Sequence, residues 1–427
     1  MDDTIETRIP PTCPEPIAQI LHRAWDHDLA GLKALLSQSG RASVQEPTTG
    51  ETPLHAAIRA CAGQGEGESE SSAKPVVQEL FLSGAIWNDV DGNGETPGCV
   101  AARLGLRALY AQCVDAGARA EMLFGLLDEY EELESQDGGE EEEEEEGAGQ
   151  DAAGEEANGA GEPMDEDIEV VVDNTRAFVP PRPAGADDPD VKSEAYLRSE
   201  LTYSDGKLVD SSLNGVMMAW ETSIMRASVA ALLPDLAPGR RILNIGFGMG
   251  IIDGMFAETR PSRHHVIEAH PAVLDHINNA PECKFGKAWE ASGPSKGAYK
   301  VHAGKWQEVM PKLLEKGETY DAIYFDTFGE DYGQLRMFFT EYVPGLLEDN
   351  GIFSFFNGLG ADRQVCYDVY AKVVEMHLSD AGMDVDWQVL DVDMKGLEEE
   401  GKGEWQGVKR RYWTLDKYRL PVCTLMG

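Results

Sequence analysis

A glycine-rich turn is the segment of this sequence whose residue types and spacing point most clearly to chemistry. Residues 242–250 read Ile-Leu-Asn-Ile-Gly-Phe-Gly-Met-Gly, an apolar run that ends in three alternate glycines. Glycines let a chain turn sharply and let a ligand approach the backbone closely. The apolar run predicts a strand and the residues after Gly250 predict a helix, so the turn has the strand–loop–helix context of a cofactor site.

The spacing of the glycines helps to distinguish two kinds of cofactor. A dinucleotide site requires a glycine where this chain has Ile251. S-adenosylmethionine carries no pyrophosphate, so its site does not require that glycine. Glu268 lies 22 residues after Gly246 and is predicted to end the next strand, where an acidic side chain accepts hydrogen bonds from both ribose hydroxyls. These features favour S-adenosylmethionine. A nicotinamide cofactor and a tight turn without a ligand are the alternatives.

Two carboxylates, Glu221 and Asp326, are candidates for the reacting centre. Asp326 follows an apolar run and is expected at the carboxyl end of a strand, where ligands bind in parallel sheets. Glu221 and Met217 lie in residues 216–225, which we predict to be the helix that precedes the first strand and covers the cofactor. Two carboxylates can grip a planar guanidinium through its fork of N–H donors. We assign proton acceptance to Asp326 and orientation to Glu221, and the reverse assignment stays open. A strand-end cap and a surface helix carboxylate are their structural alternatives.

Apolar runs and helical stretches alternate over residues 186–427. We predict strands at 241–245, 264–268, 322–326 and 352–356, and helices at 249–259, 272–279, 307–316 and 332–347. Such a series predicts a doubly wound sheet of parallel strands. Two β-rich runs, 385–392 and 411–422, fit an antiparallel hairpin at the sheet edge. These six runs predict a Rossmann-like α/β sheet. Its seven-stranded form, which we expect here, is the usual architecture of S-adenosylmethionine-dependent methyltransferases.

Residues 1–127 contain a repeated motif. Residues 52–57 read Thr-Pro-Leu-His-Ala-Ala, close to the ankyrin signature, and a weakened copy follows 44 residues later at 96–102. An insertion at 63–72 accounts for the excess over the usual repeat of about 33 residues. Flanking helical pairs are expected at 24–36 and 107–118. We predict a separate all-α ankyrin-repeat module of two to three repeats that presents a docking face to a protein partner.

An acidic segment, residues 128–185, lies between the two predicted domains. Residues 128–169 contain 21 acidic residues and no Lys or Arg. Such a segment buries too little apolar surface to offset its ordering entropy, so we predict a disordered linker. Whether it also attracts a basic partner stays open. The net charge of −41 disfavours direct nucleic-acid binding and favours basic protein partners.

The seven cysteines form no C-x-x-C pair and no His cluster accompanies them, so we predict no metal centre. Reduced thiols of this kind are typical of cytoplasmic and nuclear proteins, where we expect this protein to be located. The N-terminus lacks the apolar core of a signal peptide, and no apolar run is long enough to predict a membrane span.

Four motifs, in order along the chain, resemble guanidinoacetate N-methyltransferase. They are Met217-x-x-Trp220-Glu221-Thr222, Gly246-Phe247-Gly248-Met249, Ile267-Glu268 and Tyr324-x-Asp326-Thr327-Phe328. Together with the N-terminal repeats and the acidic segment, they resemble the fungal and plant protein-arginine δ-N-methyltransferases, the type IV arginine methyltransferases. The resemblance is most specific from about residue 190 to the end of the chain.

The resemblance implies a set of contacts with S-adenosylmethionine. Those that flank its methionyl end or close over the cofactor are Tyr196, Met217, Met225 and Asp326. Those in the turn are Gly246, Phe247, Gly248, Met249, Gly250, Ile251 and Ile252. Those around the ribose and the adenine are Glu268, Ala269, His270, Gly304 and Lys305.

The resemblance also implies methyl transfer to the internal δ nitrogen of arginine in a protein substrate, with Glu221 and Asp326 as catalytic residues and a ribosomal protein as the substrate. A small-molecule guanidino methyltransferase and an inactive ankyrin adaptor are the alternatives. The intact carboxylates and glycines argue against the adaptor. The repeats favour a protein substrate, because a free metabolite needs no docking face. Phe328 and Gly329 replace the Tyr-Pro of the guanidinoacetate enzyme, which indicates a reshaped substrate pocket.

Overall fold

The structure is a computed structural model that describes residues 3–38, 40–62, 68–135, 193–204, 206–398, 403–409 and 411–427. The chain forms two compact units, residues 1–92 with 119–181 and residues 93–118 with 182–427. Most of the predicted acidic linker, residues 136–185, lies outside the described residues. Within the described part of the chain, no helix is both long and apolar enough to cross a membrane.

The first unit contains helices from its first residues onward, as predicted for the N-terminal region. They are α1 (Ile5–Arg8), α2 (Glu15–Trp25), α3 (Leu29–Leu35), α4 (Pro53–Arg59) and α5 (Glu68–Leu82). The Thr52 side chain caps α4 by accepting a hydrogen bond from the His55 N–H at 3.3 Å. The hydroxyl also shares a hydrogen bond of 2.8 Å with His55 Nδ1, so His55 has a structural role at the start of this helix.

The helical pair predicted at 24–36 corresponds to the end of α2 at Trp25 and to α3, whose start is capped by Asp28. Another prediction for this region was incomplete. The predicted insertion 63–72 contains the start of α5, a helix that the Ser/Glu-rich sequence did not predict. Charged and small polar residues give only a weak helical signal until packing with other helices stabilises them.

The second unit begins with the second copy of the motif. There α6 (Pro97–Arg103) starts as α4 does, with Thr96 accepting from the Cys99 N–H. The next helix, α7 (Arg107–Ser135), belongs to this unit up to residue 118 and to the first unit from residue 119. It extends eight residues into the segment predicted as linker. The remaining helices are α8 (Ser193–Leu197), α9 (Thr222–Leu232), α10 (Ile251–Glu258), α11 (Pro271–Asn279), α12 (Lys287–Ala291), α13 (Trp306–Glu315), α14 (Tyr332–Met337), α15 (Val343–Leu346), α16 (Gln364–Asp380) and α17 (Met394–Glu398).

A small antiparallel sheet precedes the main one. Its strands are β1 (Leu201–Ser204), β2 (Lys207–Asp210) and β3 (Gly215–Met218). Met217 therefore lies on a strand, and Glu221 ends the 3₁₀ turn Ala219–Glu221 just before α9. The prediction that a single helix carries both residues was wrong. The run Gly-Val-Met-Met pairs with β2, and this tertiary pairing outweighs the weak helical pattern.

The main sheet has seven strands, which confirms the predicted fold of this unit. They are β4 (Arg241–Ile245), β5 (Arg263–Glu268), β6 (Tyr299–Ala303), β7 (Tyr320–Phe325), β8 (Leu347–Phe355), β9 (Met383–Asp391) and β10 (Lys417–Leu425). Their order is β6-β5-β4-β7-β8-β10-β9. The first five are parallel, and β10 runs antiparallel to both β8 and β9. The predicted edge hairpin is therefore confirmed, whereas β6 was not predicted because its sequence, Tyr-Lys-Val-His-Ala, is largely polar.

Alternate residues along the central strands enter two different cores. Leu243 and Ile323 pack on one face of the sheet with α13 and α16, and Ile242 and Ala322 pack on the other with α9 and α10. Helices thus cover both faces, which leaves the carboxyl ends of the parallel strands as the open edge.

The α6–α7 pair packs against α16 within the second unit. Tyr110 Oη donates a hydrogen bond of 2.5 Å to Asp368 Oδ2, and Arg363 donates one of 3.1 Å to the Gly94 carbonyl. Asp368 also forms an ion pair of 2.6 Å with Arg419 on β10. Lys372 and Asp115 form a more exposed ion pair nearby. The second motif copy is therefore held to the same unit as the main sheet.

We predict that Asp368→Ala lowers the free energy of unfolding of the full chain by about 1–3 kcal/mol, because it leaves the partly buried Tyr110 hydroxyl and Arg419 without their acceptor. Asp115→Ala is the matched control, and the loss of its exposed ion pair should cost at most about 1 kcal/mol. Urea unfolding of both variants measures the difference, and equal costs would contradict the structural role of Asp368.

Candidate active site

A cavity of about 280 Å³ opens where the parallel strands end. Its wall includes the residues that follow or end four neighbouring strands, namely Gly246 after β4, Glu268 at the end of β5, Gly304 after β6 and Asp326 after β7. The cavity therefore lies at the edge of the sheet where the sequence predicts the cofactor and the substrate.

The glycine turn brings β4 and β7 into close contact. Gly246 has φ +90°, and a Cβ built there would lie 1.9 Å from the Asp326 carbonyl oxygen. Gly248 and Gly250 also have positive φ, and α10 begins directly after Gly250. Only glycine fits the first position, because any side chain would displace the backbone that carries Asp326.

The cavity is lined by ten of the predicted site residues. They are Tyr196, Met217, Glu221, Gly246, Gly248, Glu268, Ala269, Gly304, Lys305 and Asp326. The other predicted residues lie outside its lining, and they are Met225, Phe247, Met249, Gly250, Ile251, Ile252 and His270.

Most of the predicted residues outside the lining lie in the hydrophobic core or pack against it, and therefore do not face the cavity. Met225, Phe247 and Ile252 are buried in the core between the sheet and helices α9 and α10, and Met249 and Ile251 pack against that core. After the turn the chain enters α10, so its apolar side chains point towards the sheet. The resemblance assigned the whole loop as one unit, whereas only Gly246 and Gly248 line the cavity.

Glu268 connects the two loops beside the cavity. Its Oε2 accepts a hydrogen bond of 2.9 Å from the Phe247 N–H, and its Oε1 accepts one of 2.6 Å from the His270 N–H. The Gly248 and Ala269 N–H groups also bond to it. Burial raises the pKa of Glu268, and these four donors oppose that rise by stabilising the carboxylate. Glu268 therefore organises the loops in addition to its predicted contact with the ribose.

His270 holds Tyr196 in place through a hydrogen bond and a ring contact. Its Nε2 donates a hydrogen bond of 2.9 Å to the Tyr196 carbonyl, and its Nδ1 accepts one of 3.1 Å from the Ala272 N–H. This pattern fixes the neutral tautomer that carries its proton on Nε2, and burial lowers the pKa of His270. The Tyr196 ring lies between the rings of His270 and Phe328, at centroid distances of 4.7 and 4.9 Å. The predicted aromatic cover over the cavity is therefore positioned by both neighbours.

The two candidate catalytic carboxylates line the same cavity from different elements. Glu221 is buried, and its Oε1 accepts hydrogen bonds from the Met218 N–H at 3.0 Å and from the Tyr412 hydroxyl. Asp326 Oδ2 is buried and has no hydrogen-bond partner among the described residues. Neither carboxylate forms an ion pair in that part of the chain. Burial raises the pKa of both groups, and the negative charge of Asp326 raises that of Glu221 further.

Several residues of the cavity wall were not predicted. The most informative are Tyr412, which was assigned to the predicted strand 411–422, and Glu330, whose carboxylate accepts hydrogen bonds from Trp306 Nε1 and from Thr327 Oγ1. Others are Ser193, Leu197, Gly215, Val216, Gln307, Asp331, Leu335, Phe356, Gly358 and Leu359. They come from several helices, strands and loops that are far apart in the sequence, so only the fold brings them to the cavity.

The cavity has the features that S-adenosylmethionine requires. Glycine backbone is exposed at the turn, a buried acid lies at the end of β5, and Asp326 offers an unpartnered carboxylate oxygen. A cofactor with a sulfonium and an ammonium group suits a wall that contains Glu221, Glu268 and Asp326. The fold and the site thus define an S-adenosylmethionine-dependent methyltransferase.

Comparison with known proteins specifies the family. The family model "Guanidinoacetate N-methyltransferase" matches residues 196–385. The chain is 60% identical to Protein arginine N-methyltransferase 2 of Gibberella zeae, over 97% of this chain and 94% of that protein. It is 60% identical to the Neurospora crassa protein of the same name, over 100% and 99% of the two chains, and 46% identical to the Emericella nidulans protein, over 96% of each. The chain belongs to the protein arginine N-methyltransferase 2 family.

We predict that Glu268→Ala lowers the affinity for S-adenosylmethionine by about 2 kcal/mol or more, because the ligand loses a charged acceptor. The same change should also lower the free energy of unfolding by about 1–3 kcal/mol, since buried N–H groups of two loops lose their partner. Calorimetric titration and urea unfolding measure the two effects separately. Unchanged cofactor affinity in a folded variant would show that the ribose does not contact Glu268.

Proposed function

We propose that this protein transfers one methyl group from S-adenosylmethionine to the internal δ nitrogen of arginine residues in protein substrates. The observation that carries the proposal is the pair Glu221 and Asp326, two carboxylates without basic partners among the described residues, which line one cavity beside the glycine turn. A guanidinium cation has the charge and the planar donor geometry to satisfy both.

The grip of the two carboxylates determines which nitrogen faces the methyl donor. If the two terminal nitrogens of arginine donate to Glu221 and Asp326, the third nitrogen of the plane, δ, is turned away from the carboxylates. The δ nitrogen carries a single hydrogen, so one transfer exhausts it, whereas a terminal nitrogen can accept two methyl groups. Most of the rate acceleration should come from this positioning.

The different surroundings of the two carboxylates support different roles. Glu221 has two donors on Oε1, which suits a side chain that orients the substrate. Asp326 has an oxygen without a donor, which suits the group that accepts one proton from the terminal nitrogen it holds. The δ hydrogen then moves to that terminal nitrogen as the δ nitrogen binds the methyl group. When bound, S-adenosylmethionine supplies the electrophilic methyl group. Nine of its predicted contacts line the cavity, and Tyr196 and Phe328 exclude water from one side.

A protein substrate is supported by the near-complete match to relatives named for protein arginine methylation. We propose that the N-terminal helices, with their two Thr-Pro helix starts, are ankyrin-type repeats that dock this substrate. A ribosomal protein is our candidate, because ribosomal proteins are basic and the chain has a net charge of −41. The alternative is a small guanidino substrate, which the family-model match over residues 196–385 favours.

We predict that Glu221→Gln and Asp326→Asn each reduce the methylation rate by about 10²-fold or more, because each amide keeps the shape of the side chain and removes its charge. Cofactor affinity should stay nearly unchanged in Glu221→Gln. Fragmentation of the product in a mass spectrometer separates δ-methylarginine from terminally methylated forms. Dimethylarginine, or guanidinoacetate as the better substrate, would contradict the proposal and leave the methyltransferase class intact.

We predict that activity falls on acidification at a pH well above the usual carboxyl range of about 4–4.5. Burial raises the pKa of both carboxyl groups, and the charge of Asp326 raises that of Glu221 further. As the pH falls, both therefore gain protons and release the guanidinium earlier than exposed acids would. The pH dependence of kcat/KM measures this limb. A rate that stayed constant down to about pH 5 would show that neither group must be ionised.

A further inference from the structure

Tyr412 lies in the segment between β9 and β10 and contributes its side chain to the cavity wall. The segment was predicted as strand, but β10 begins only at Lys417, which leaves Tyr412 in a loop. Its ring packs beside Gly215 of β3, where a Cβ would lie 3.0 Å from the ring carbon Cε1. The missing side chain at Gly215 thus makes room for the tyrosine.

The hydrogen bonds of Tyr412 have only one possible direction. Trp220 Nε1 can only donate, and it lies 3.1 Å from the Tyr412 hydroxyl oxygen, so that oxygen is the acceptor. The single hydroxyl proton is then left for Glu221 Oε1, which is in contact with it. The result is a chain of donors that runs from Trp220 through Tyr412 to Glu221.

Both donors to Glu221 bond to the same oxygen. The Met218 N–H and the Tyr412 hydroxyl each donate to Oε1, and no described residue donates to Oε2. A carboxylate held by two donors on one oxygen cannot rotate freely, so its second oxygen has a fixed direction.

Aromatic packing holds the phenol in place. The Tyr412 ring meets the buried Trp405 edge to face at a centroid distance of 5.0 Å. The Trp220 ring lies 6.0 Å from Tyr412 and 5.9 Å from the buried Trp413. Such contacts favour one ring orientation, so the direction of the hydroxyl is set before any ligand binds.

We propose that Tyr412 is a positioning residue of the methyl-transfer reaction, which fixes Glu221 by its Oε1 and so presents Oε2 to the guanidinium of the substrate. This inference rests on the proposed function of Glu221 as the group that orients the guanidinium.

The charge of Glu221 depends on the same contact. The titratable groups that act on it are Asp326 and Tyr324 from the β7 region, Tyr418 on β10 and Tyr412 itself. Burial and Asp326 raise the pKa of Glu221, and the Tyr412 hydrogen bond lowers it. The pKa of each of the three phenols is well above its usual range, so they remain neutral. Loss of the Tyr412 hydroxyl therefore raises the pKa of Glu221 further.

The test is Tyr412→Phe in the full chain, which keeps the ring and removes the hydroxyl. We expect kcat/KM on an arginine-bearing protein substrate to fall roughly tenfold or more at neutral pH, since a hydrogen bond to a charged group is lost. The acidic limb of its pH profile should move to higher pH, and the affinity for S-adenosylmethionine should stay within about twofold.

The matched control is Tyr299→Phe. Tyr299 lies on β6 and does not line the cavity, and its hydroxyl donates a hydrogen bond of 2.9 Å to the Pro261 carbonyl. This variant also loses one tyrosine hydroxyl, and it should keep the wild-type rate and the wild-type pH profile. If Tyr412 had a purely structural role, Tyr412→Phe would lower the melting temperature and leave the acidic limb of the pH profile unchanged.

Glu221→Gln in the same assay separates the two possible failures. If Glu221→Gln is impaired while Tyr412→Phe keeps the wild-type rate and pH profile, the inference is wrong and the proposed function stands. If Glu221→Gln is also unimpaired, the proposed site is wrong. If Tyr412→Phe does not fold, Trp220→Phe decides, because it leaves Glu221 and Tyr412 in place and removes the donor that directs the hydroxyl. A smaller shift of the acidic limb to higher pH supports the inference, and an unchanged limb overturns it.

Discussion

Two buried carboxyl groups that face one cavity, with no basic partner among the described residues, are the constraint on which the rest of this site depends. Glu221 and Asp326 form no ion pair among the described residues, and burial disfavours the ionised form of both. Buried charges are costly unless they are paired, so such an arrangement persists only where the fold forces it. The forcing elements are the end of β7, which fixes Asp326 against Gly246, and the short turn that ends at Glu221.

The same constraint links stability to ligand binding. A carboxyl group whose pKa is raised in the folded state contributes stability below its unfolded pKa and loses that contribution as the pH rises through the folded pKa. At neutral pH the free enzyme therefore carries an electrostatic penalty at its active site. A cation in the cavity relieves this penalty, whether it is a sulfonium or a guanidinium. Part of the specificity for cationic ligands thus arises from repulsion in the free protein.

The sequence identified the residues whose positions depend on local structure. Gly246, Glu268 and Asp326 follow or end strands with strong apolar patterns, so their meeting at one edge follows from the βαβ series alone. Prediction from the sequence failed where tertiary contacts decide the position of a residue. Met217 lies on a strand because β2 pairs with it, and Phe247 is buried because the chain enters α10 immediately after the turn. Tyr412 was assigned to a strand because aromatic residues favour strands, and only the folded chain brings it to Glu221.

The packing of α6 and α7 on α16 has a consequence for how this architecture can be rearranged in evolution. Modules that are joined by a linker can be exchanged by recombination at that linker, because few contacts cross the boundary. Here the second Thr-Pro helix belongs to the unit that contains the main sheet, with Tyr110 bonded to Asp368 and Arg363 bonded to the Gly94 carbonyl. A crossover within the acidic segment would separate these helices from their partner, and one before Asn93 would leave them together. The catalytic module that recombination can transfer intact therefore begins between the two copies of the motif. This point lies far before β4, which is the first strand of the main sheet along the chain.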